Sequence, residues 1–485
     1  MHFRSIAYVM GTLLLVTSIA LLLPIITSLI YQEDDLAALI ITAAVTIAVG
    51  LPLWRFSPGH YELTFKDAVL IAVFGWVFIS AISTIPFMIH GSIPSFTDSF
   101  FEMMSGYTTT GATILNDIES VPHGLLLWRS ETHLLGGMGF LTLTLIFLPH
   151  GIEGVRIFRA ESSPGQVITK EKFLPRNRDA IIWLWSIYLG LNLIQILMLW
   201  AGGMSLFDSI CHAFSTIATA GFSPKNSSIG YYGSAYFDWV TIIFMFLGGM
   251  GFMLFYHMLK SEWKLVQVNT ELRWYASIVF FLCCITTLIL SINGSYENFF
   301  DSLRYASFQV TSLLTTTGFT TADYELWPQS AQMLLYIACF IGACAGSTTS
   351  GIKIVHFVII WKYMLTTIKK MFHQPRTILP IHLNQRAIDP FAINLSICYV
   401  LANVFIILVG SCFMILLESM DLQTGISCVI SALMNIGPGF GDVGPADNFA
   451  HISALGKWFL AWLMLIGRLE MFTALVLLFP SFWKK

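Results

Sequence analysis

Long hydrophobic runs alternate with short polar stretches from one end of the chain to the other. A helix needs about 20 apolar residues to cross a membrane. Runs of that kind lie near 6–31, 36–54, 67–89, 125–148, 180–201, 236–259, 274–292, 331–368, 391–417 and 455–480. From the third run onward, each pair of runs encloses a shorter segment of mixed polarity. Those segments end in related motifs: Thr108-Thr109-Thr110-Gly111-Ala112-Thr113, Ala218-Thr219-Ala220-Gly221-Phe222-Ser223, Thr315-Thr316-Thr317-Gly318-Phe319-Thr320 and Ile436-Gly437-Pro438-Gly439-Phe440-Gly441. The pattern predicts two leading helices (1–60) followed by four helix–loop–helix units over 61–150, 151–262, 263–370 and 371–485.

A loop inside a membrane must satisfy its backbone carbonyls without water, or aim them at something that needs oxygens. Four such loops around one axis make a ring of carbonyls able to replace the hydration shell of a cation. Glycine suits a turn that a residue with a Cβ would resist. The fold expected is an all-α polytopic membrane protein, with the four repeats arranged about a pseudo-fourfold pore.

Composition supports the membrane assignment. Hydrophobic residues make up 56% and charged residues 11% of the 485-residue chain, against about 25% charged in soluble domains. The first run is too long for a signal-peptide core and is expected to be a retained helix. All eight cysteines lie in apolar runs or loop segments and are expected to be small buried hydrophobes. Basic residues cluster in the connections 149–179, 260–273 and 369–390. The loop side carries only Arg129, Lys225, Arg304 and Lys457. The positive-inside rule then places both termini in the cytoplasm, with the loops inserted from outside. Connections this short hold no folded domain, so a regulatory module must come from another chain.

Two segments leading into the loops begin Ser95-Phe96-Thr97-Asp98 and Ser205-Leu206-Phe207-Asp208, each a helix-start signal. Short helices starting there turn their negative C-terminal ends toward the loops, which favours a cation. The acids Asp117, Glu119, Asp323, Glu325, Asp442 and Asp447 follow the loops, as a solvated surface or as a vestibule that concentrates cations. Gly439-Phe440-Gly441-Asp442-Val443-Gly444 fits a dinucleotide-binding pattern but lacks the strand and helix that pattern needs. With no phosphate-binding, metal-ligating or nucleophile–base motif, an enzyme is not expected, and nothing points to a nucleic-acid partner.

The pentapeptide Gly-Gly-Met-Gly-Phe occurs at Gly136–Phe140 and again at Gly248–Phe252, either for close helix packing or to clear space on the axis. The run 331–368 is nearly twice a normal span. Its middle, from Gly342 through Gly346, Ser347, Thr348, Thr349 and Ser350 to Gly351, is a poor helix. It is expected to be a loop between helices over 331–344 and 352–368. Arg468 falls where the first two units have Gly137 and Gly249. A charge at mid-membrane costs about 2.5–3.5 kcal/mol and is functional by default. Glu470, two residues on, does not share its helical face, and Lys353 is one candidate partner for it.

In this combination of four loops, two extra N-terminal helices, a glycine-rich break and a late arginine, the chain resembles the superfamily of bacterial Trk/Ktr and plant HKT potassium transporters. The resemblance implies potassium uptake across the bacterial cytoplasmic membrane, a homodimer in lipid, and control by a cytoplasmic ring of nucleotide-binding TrkA-type subunits. It implies potassium coordination by backbone carbonyls of Thr109, Thr110 and Gly111, of Thr219, Ala220 and Gly221, of Thr316, Thr317 and Gly318, and of Gly437, Pro438 and Gly439. The filter glycines would be Gly111, Gly221, Gly318 and Gly439, and the gate Gly346–Gly351 with Arg468. The fourth loop departs most from the pattern, with Pro438 where the first and third carry threonine. Relatives with serine in the first loop tend towards sodium. Two mechanisms fit: a gated pore passing potassium and rubidium, or a secondary transporter coupling potassium to protons or sodium.

Overall fold

The computed structural model describes residues 2–55, 64–139, 177–374, 379–384 and 386–484. The described chain is almost entirely helical. Among the described residues six helices are long and apolar enough to cross a membrane, or up to eight if each of two sharply bent pairs is one span. The protein is a multi-pass membrane protein. Large side chains such as Phe280, Ile292, Phe405 and Leu416 face outward from these helices, as lipid contact requires.

The leading helices, Phe3–Tyr31 and Leu36–Arg55, pack through small residues. A Cβ on Gly11 would lie 2.8 Å from the Gly50 carbonyl oxygen, so only glycine permits this approach. The turn between them serves the first repeat. Its inner helix, His123–Gly137, has no side-chain cap of its own. Glu33 accepts from the His123 backbone NH, at 2.5 Å, and Asp35 from that of Leu125, at 3.0 Å. Two of the orphan donors of a helix start are thereby satisfied from another part of the chain.

Each of the four units then has an outer helix, a short helix ending at the loop, and an inner helix. The outer helices are Phe65–Ser83 continued by Ile85–His90, Asn177–Ala201, Thr270–Ile292 and Pro390–Glu418. The short helices, called pore helices below, are Phe96–Tyr107, Leu206–Ile217, Phe299–Leu314 and Leu422–Met434. Ser95 and Ser205 cap the first two, accepting from the backbone NH groups of Asp98 and Asp208, as the Ser-x-x-Asp spacing predicts.

The inner helices depart from expectation. Only one break was expected, but every inner helix ends or bends within the described residues. The first stops at Gly137; residues 140–148, with Phe140, lie outside the described residues. The second is Ala235–Gly248 and Phe252–Leu259, bent by 95°. The third is Gln329–Phe340 and Ile354–Lys370, so its non-helical part runs over 341–353 and is wider than expected. The fourth is Ala454–Arg468 followed by Phe472–Leu478, bent by 117°. The glycine pentapeptides therefore lie at helix ends, where they are also closely packed: a Cβ on Gly136 would fall 2.0 Å from Tyr107 O and one on Gly249 2.3 Å from the Tyr275 hydroxyl.

Two further expectations change. Cys398 and Cys412 are exposed on the outer helix Pro390–Glu418, which is apolar all round and turns one side outward. In the connection after the third unit, the two-residue strands His382–Leu383 and Arg386–Ala387 pair antiparallel, His382 with Ala387 and Leu383 with Arg386, a pairing called the hairpin below. Most of the basic connection 149–179 lies outside the described residues, as do Arg376 and Lys485.

Candidate functional site

The four loops repeat one backbone conformation. Thr109, Thr219, Thr316 and Asn435 each adopt a left-handed φ of 53–55°, and the glycine two residues later, Gly111, Gly221, Gly318 or Gly437, has φ between 78° and 98°. Between them, Thr110, Ala220, Thr317 and Ile436 each donate their NH to a serine carbonyl of the preceding pore helix, at 2.8–2.9 Å. The loops also touch in cyclic order. A Cβ on Gly111 would fall 2.1 Å from the Ala220 oxygen, on Gly221 2.2 Å from Thr317, on Gly318 2.0 Å from Ile436, and on Gly437 2.7 Å from Thr110. The ring closes on itself. Glycine is required twice over, for its positive φ and for the missing Cβ.

This geometry corrects the fourth loop. The equivalent of Gly111 is Gly437, not Gly439, and the motif begins at Asn435 rather than Gly437. The sequence Gly439-Phe440 matches Gly221-Phe222 and Gly318-Phe319 by eye. The pore helix ends at Met434, one residue before the end that match requires, and Asn435 follows it at once in the left-handed conformation asparagine tolerates. Pro438 and Gly439 follow that glycine in the chain, and the Pro438 ring lies against Gly318. Asn435 donates to the Thr110 hydroxyl at 2.8 Å and to the Met464 carbonyl at 2.9 Å, joining the fourth loop to the first.

Each pore helix also holds the chain that leaves its own loop. Glu102 accepts from the Thr113 hydroxyl and the Ile114 NH, both at 2.9 Å. His212 bonds the Ser223 hydroxyl at 3.0 Å, Gln309 donates to Ala322 O at 3.3 Å, and Ser427 accepts from the Phe440 NH at 2.5 Å. These polar side chains were not singled out from the sequence. Their signal was there, since a buried polar group in an apolar helix requires a partner.

The four cations on the loop side are likewise structural. Arg129 pairs with Glu102 at 2.6 Å, fully buried, donates to Ser223 O at 3.0 Å, and lies 3.4 Å from the Phe222 ring centre. It binds the first loop to the second. Lys457 pairs with Asp98, Arg304 with Asp238, and Lys225 lies over Tyr231. Of the acids, Asp117 and Glu119 accept from Asn226 across the first and second units. Glu325 accepts from the Gly441 NH. Partial burial first, then the charges of Asp323, Asp447 and Asp442, raise its pKa above the usual carboxylate value.

The non-helical segment 341–353 is a hairpin-like loop closed at its neck, where Gly342 NH donates to Ile352 O and Ile354 NH to Ala343 O, at 2.9 and 3.1 Å. It meets the left-handed threonines of the ring. The Thr348 hydroxyl is 3.3 Å from that of Thr219, and the Ser350 NH donates to the Thr316 hydroxyl at 3.1 Å. The Gly-Gly-Met-Gly break of the second unit supplies backbone partners, with Cys344 NH donating to Gly249 O and Phe252 NH to Gly346 O, at 3.0 and 2.9 Å.

Arg468, at the end of a 15-residue helix, completes the arrangement. Its guanidinium donates to the Thr109 hydroxyl and Thr348 O, both at 2.9 Å, and to Gly136 O and Gly137 O at 2.6 and 2.7 Å. One side chain therefore joins the first loop, the 346–351 segment and the last two carbonyls of the first inner helix. Lys353 donates to the carbonyl and the hydroxyl of Thr349, and Glu470, Arg468 and Glu271 are its charged neighbours.

A sequence profile described as "TrkH: Cation transport protein" matches residues 36–485. The chain belongs to the TrkH family. Relatives include the Trk system potassium uptake protein TrkH of Salmonella typhimurium, 36% identical with both chains fully covered, and that of Escherichia coli K12, 35% identical with the same coverage. The crystal structure of the potassium transporter TrkH from Vibrio parahaemolyticus superposes with a TM-score of 0.88 over the whole of both chains, at 32% identity. Members of the TrkH family are transport proteins, and this chain is not an enzyme. Among the described residues no group of three or more histidine, cysteine or acidic side chains is placed to hold a metal.

Removing one member of a buried ion pair leaves an unpaired charge and costs about 3–5 kcal/mol. Glu102→Gln is therefore expected to lower the thermal stability of the purified protein markedly. Adding Arg129→Met should recover part of the loss, and a thermal-unfolding double-mutant cycle measures that coupling.

Proposed function

We propose that this chain mediates potassium uptake across the bacterial cytoplasmic membrane, through a pore formed where its four loops meet. The carrying observation is the closed ring of Gly111, Gly221, Gly318 and Gly437, each against the carbonyl of the next loop. Backbone oxygens of Thr109–Gly111, Thr219–Gly221, Thr316–Gly318 and Asn435–Gly437 coordinate potassium and the similar rubidium ion in preference to sodium and lithium. The relatives named as potassium uptake proteins support the choice of ion. The pore helices support its sign, since their negative ends face the ring.

The gate is the segment from Gly346 through Ser347, Thr348, Thr349 and Ser350 to Gly351, with Arg468. Arg468 adds a fixed positive charge to the cation path and fastens the segment to the ring by the hydrogen bonds described. Both termini are cytoplasmic, the protein acts as a homodimer, and a cytoplasmic nucleotide-binding partner sets the gate by docking on the basic connections.

A coupled transporter is favoured by the buried charges of Lys353, Glu271 and Glu470. The four units nevertheless share one order of elements, and inverted repeats mark many coupled transporters. Single-channel recording of the purified protein in a bilayer separates the two, since unitary current steps require a pore.

Three outcomes test the assignment. Gly111→Ser places a Cβ against the Ala220 oxygen and should shift the reversal potential towards sodium; an unchanged permeability ratio removes Gly111 from the filter. Arg468→Ala should raise rubidium uptake into liposomes several-fold with little change in selectivity. Lower flux through a folded dimer assigns the arginine a structural role instead. Pull-down from native membranes should recover a ring-forming, nucleotide-binding protein, and full regulation of flux by the isolated chain would remove the need for one.

A further inference from the structure

Outside the ring, one chain of contacts runs from the cytoplasmic hairpin to the intramembrane segment. The hairpin turn residue Asn384 and the helix-start residue Thr270 are joined twice. The Asn384 side-chain oxygen accepts from the Thr270 NH at 2.8 Å, and the Asn384 NH donates to the Thr270 hydroxyl at 3.4 Å. The next residue along that helix, Glu271, is buried and accepts from the Ala345 NH at 2.6 Å. Ala345 immediately precedes Gly346. Two successive residues of one helical turn therefore hold the hairpin on one side and the foot of the intramembrane segment on the other.

The far side of the same segment reaches the hairpin as well. Lys353 holds Thr349 and begins the helix Ile354–Lys370. On that helix, Lys362 donates to His382 O in the hairpin at 2.7 Å. The hairpin thus touches elements attached to both ends of 345–353. Helical turns transmit displacement with little compliance, whereas the segment between them contains Gly346 and Gly351, both at positive φ.

We infer that the 382–387 hairpin is the input lever of the gate, and that Glu271 is the positioning residue through which its displacement reaches Ala345 and the 346–351 segment. This rests on the gate reading above. An acceptor at 271 and an acceptor at 384 are both needed to hold the segment in place. Loss of either frees it, and loss of both frees it no further, because they act in series.

The experiment is rubidium uptake into liposomes containing equal amounts of full-length wild type, Glu271→Ala, Asn384→Ala, the double variant, and the acceptor-preserving Glu271→Gln and Asn384→Asp. Arg468→Ala is the reference for the gate itself. Both alanine variants should raise flux several-fold, the double variant no more than the larger single, and the two acceptor-preserving variants should stay within about twofold of wild type. Hydrogen exchange of the peptide spanning 341–353 should quicken in Asn384→Ala, a substitution in the hairpin and distant in sequence from that peptide. Unchanged exchange there, or multiplicative effects of the two alanines on flux, overturns the lever. If Arg468→Ala raises flux while Asn384→Ala does not, the lever fails and the gate stands. If Arg468→Ala also has no effect, the gate reading fails with it.

Discussion

Backbone polar groups placed at membrane depth without a helix must find partners other than water, and most of this structure follows from that constraint. The four ring loops meet it by bonding back to pore-helix serine carbonyls. The segment 341–353 meets it by pairing with itself at the neck and with the broken second inner helix at Gly249 and Phe252. The first inner helix stops at Gly137, and Arg468 donates to its last two carbonyls, those of Gly136 and Gly137. Helix breaks and their partners come in matched sets.

The arginine therefore has two aspects that reinforce each other. A planar fork with several donors can serve more than one carbonyl and hydroxyl at once, and Arg468, in the fourth unit, serves residues from the first and the third. Its charge is tolerated because those oxygens surround it, and the same contacts place it next to the ring. In the proposed gate, structural fastening and electrostatic obstruction would be one arrangement seen from two sides.

Around this centre the loop-side ions act as ties. The Arg129–Glu102 pair links the exit of the first loop to that of the second. Lys457–Asp98 brings the last inner helix to the first pore helix, which closes the ring between the fourth and first units. A pseudo-fourfold assembly built from one chain has to be closed somewhere between its ends, and this contact and the bond from Asn435 to Thr110 provide that closure.

Much of this was legible in the sequence because its cause is local. Length and apolarity fix the spans, serine before aspartate fixes the starts of the first two pore helices, and a glycine at each of the first three loops marks a turn closed to other residues. The unusual composition of 346–351 and the lone Arg468 announced themselves as misfits in apolar runs. The fourth register was misread because Gly437 and Gly439 are equally plausible by composition. Only the end of the pore helix at Met434, and the contact of Gly437 with the Thr110 carbonyl, choose between them. The same holds for the repeated Gly-Gly-Met-Gly. Glycine permits a helix to end there, but the partners that make an ending favourable, the guanidinium of Arg468 and the NH of Cys344, lie far away in the chain. Sequence determines which conformations each segment can adopt at low cost. Tertiary structure decided which was taken, because unpaired donors and acceptors in an apolar medium are satisfied by whatever the other units bring to them.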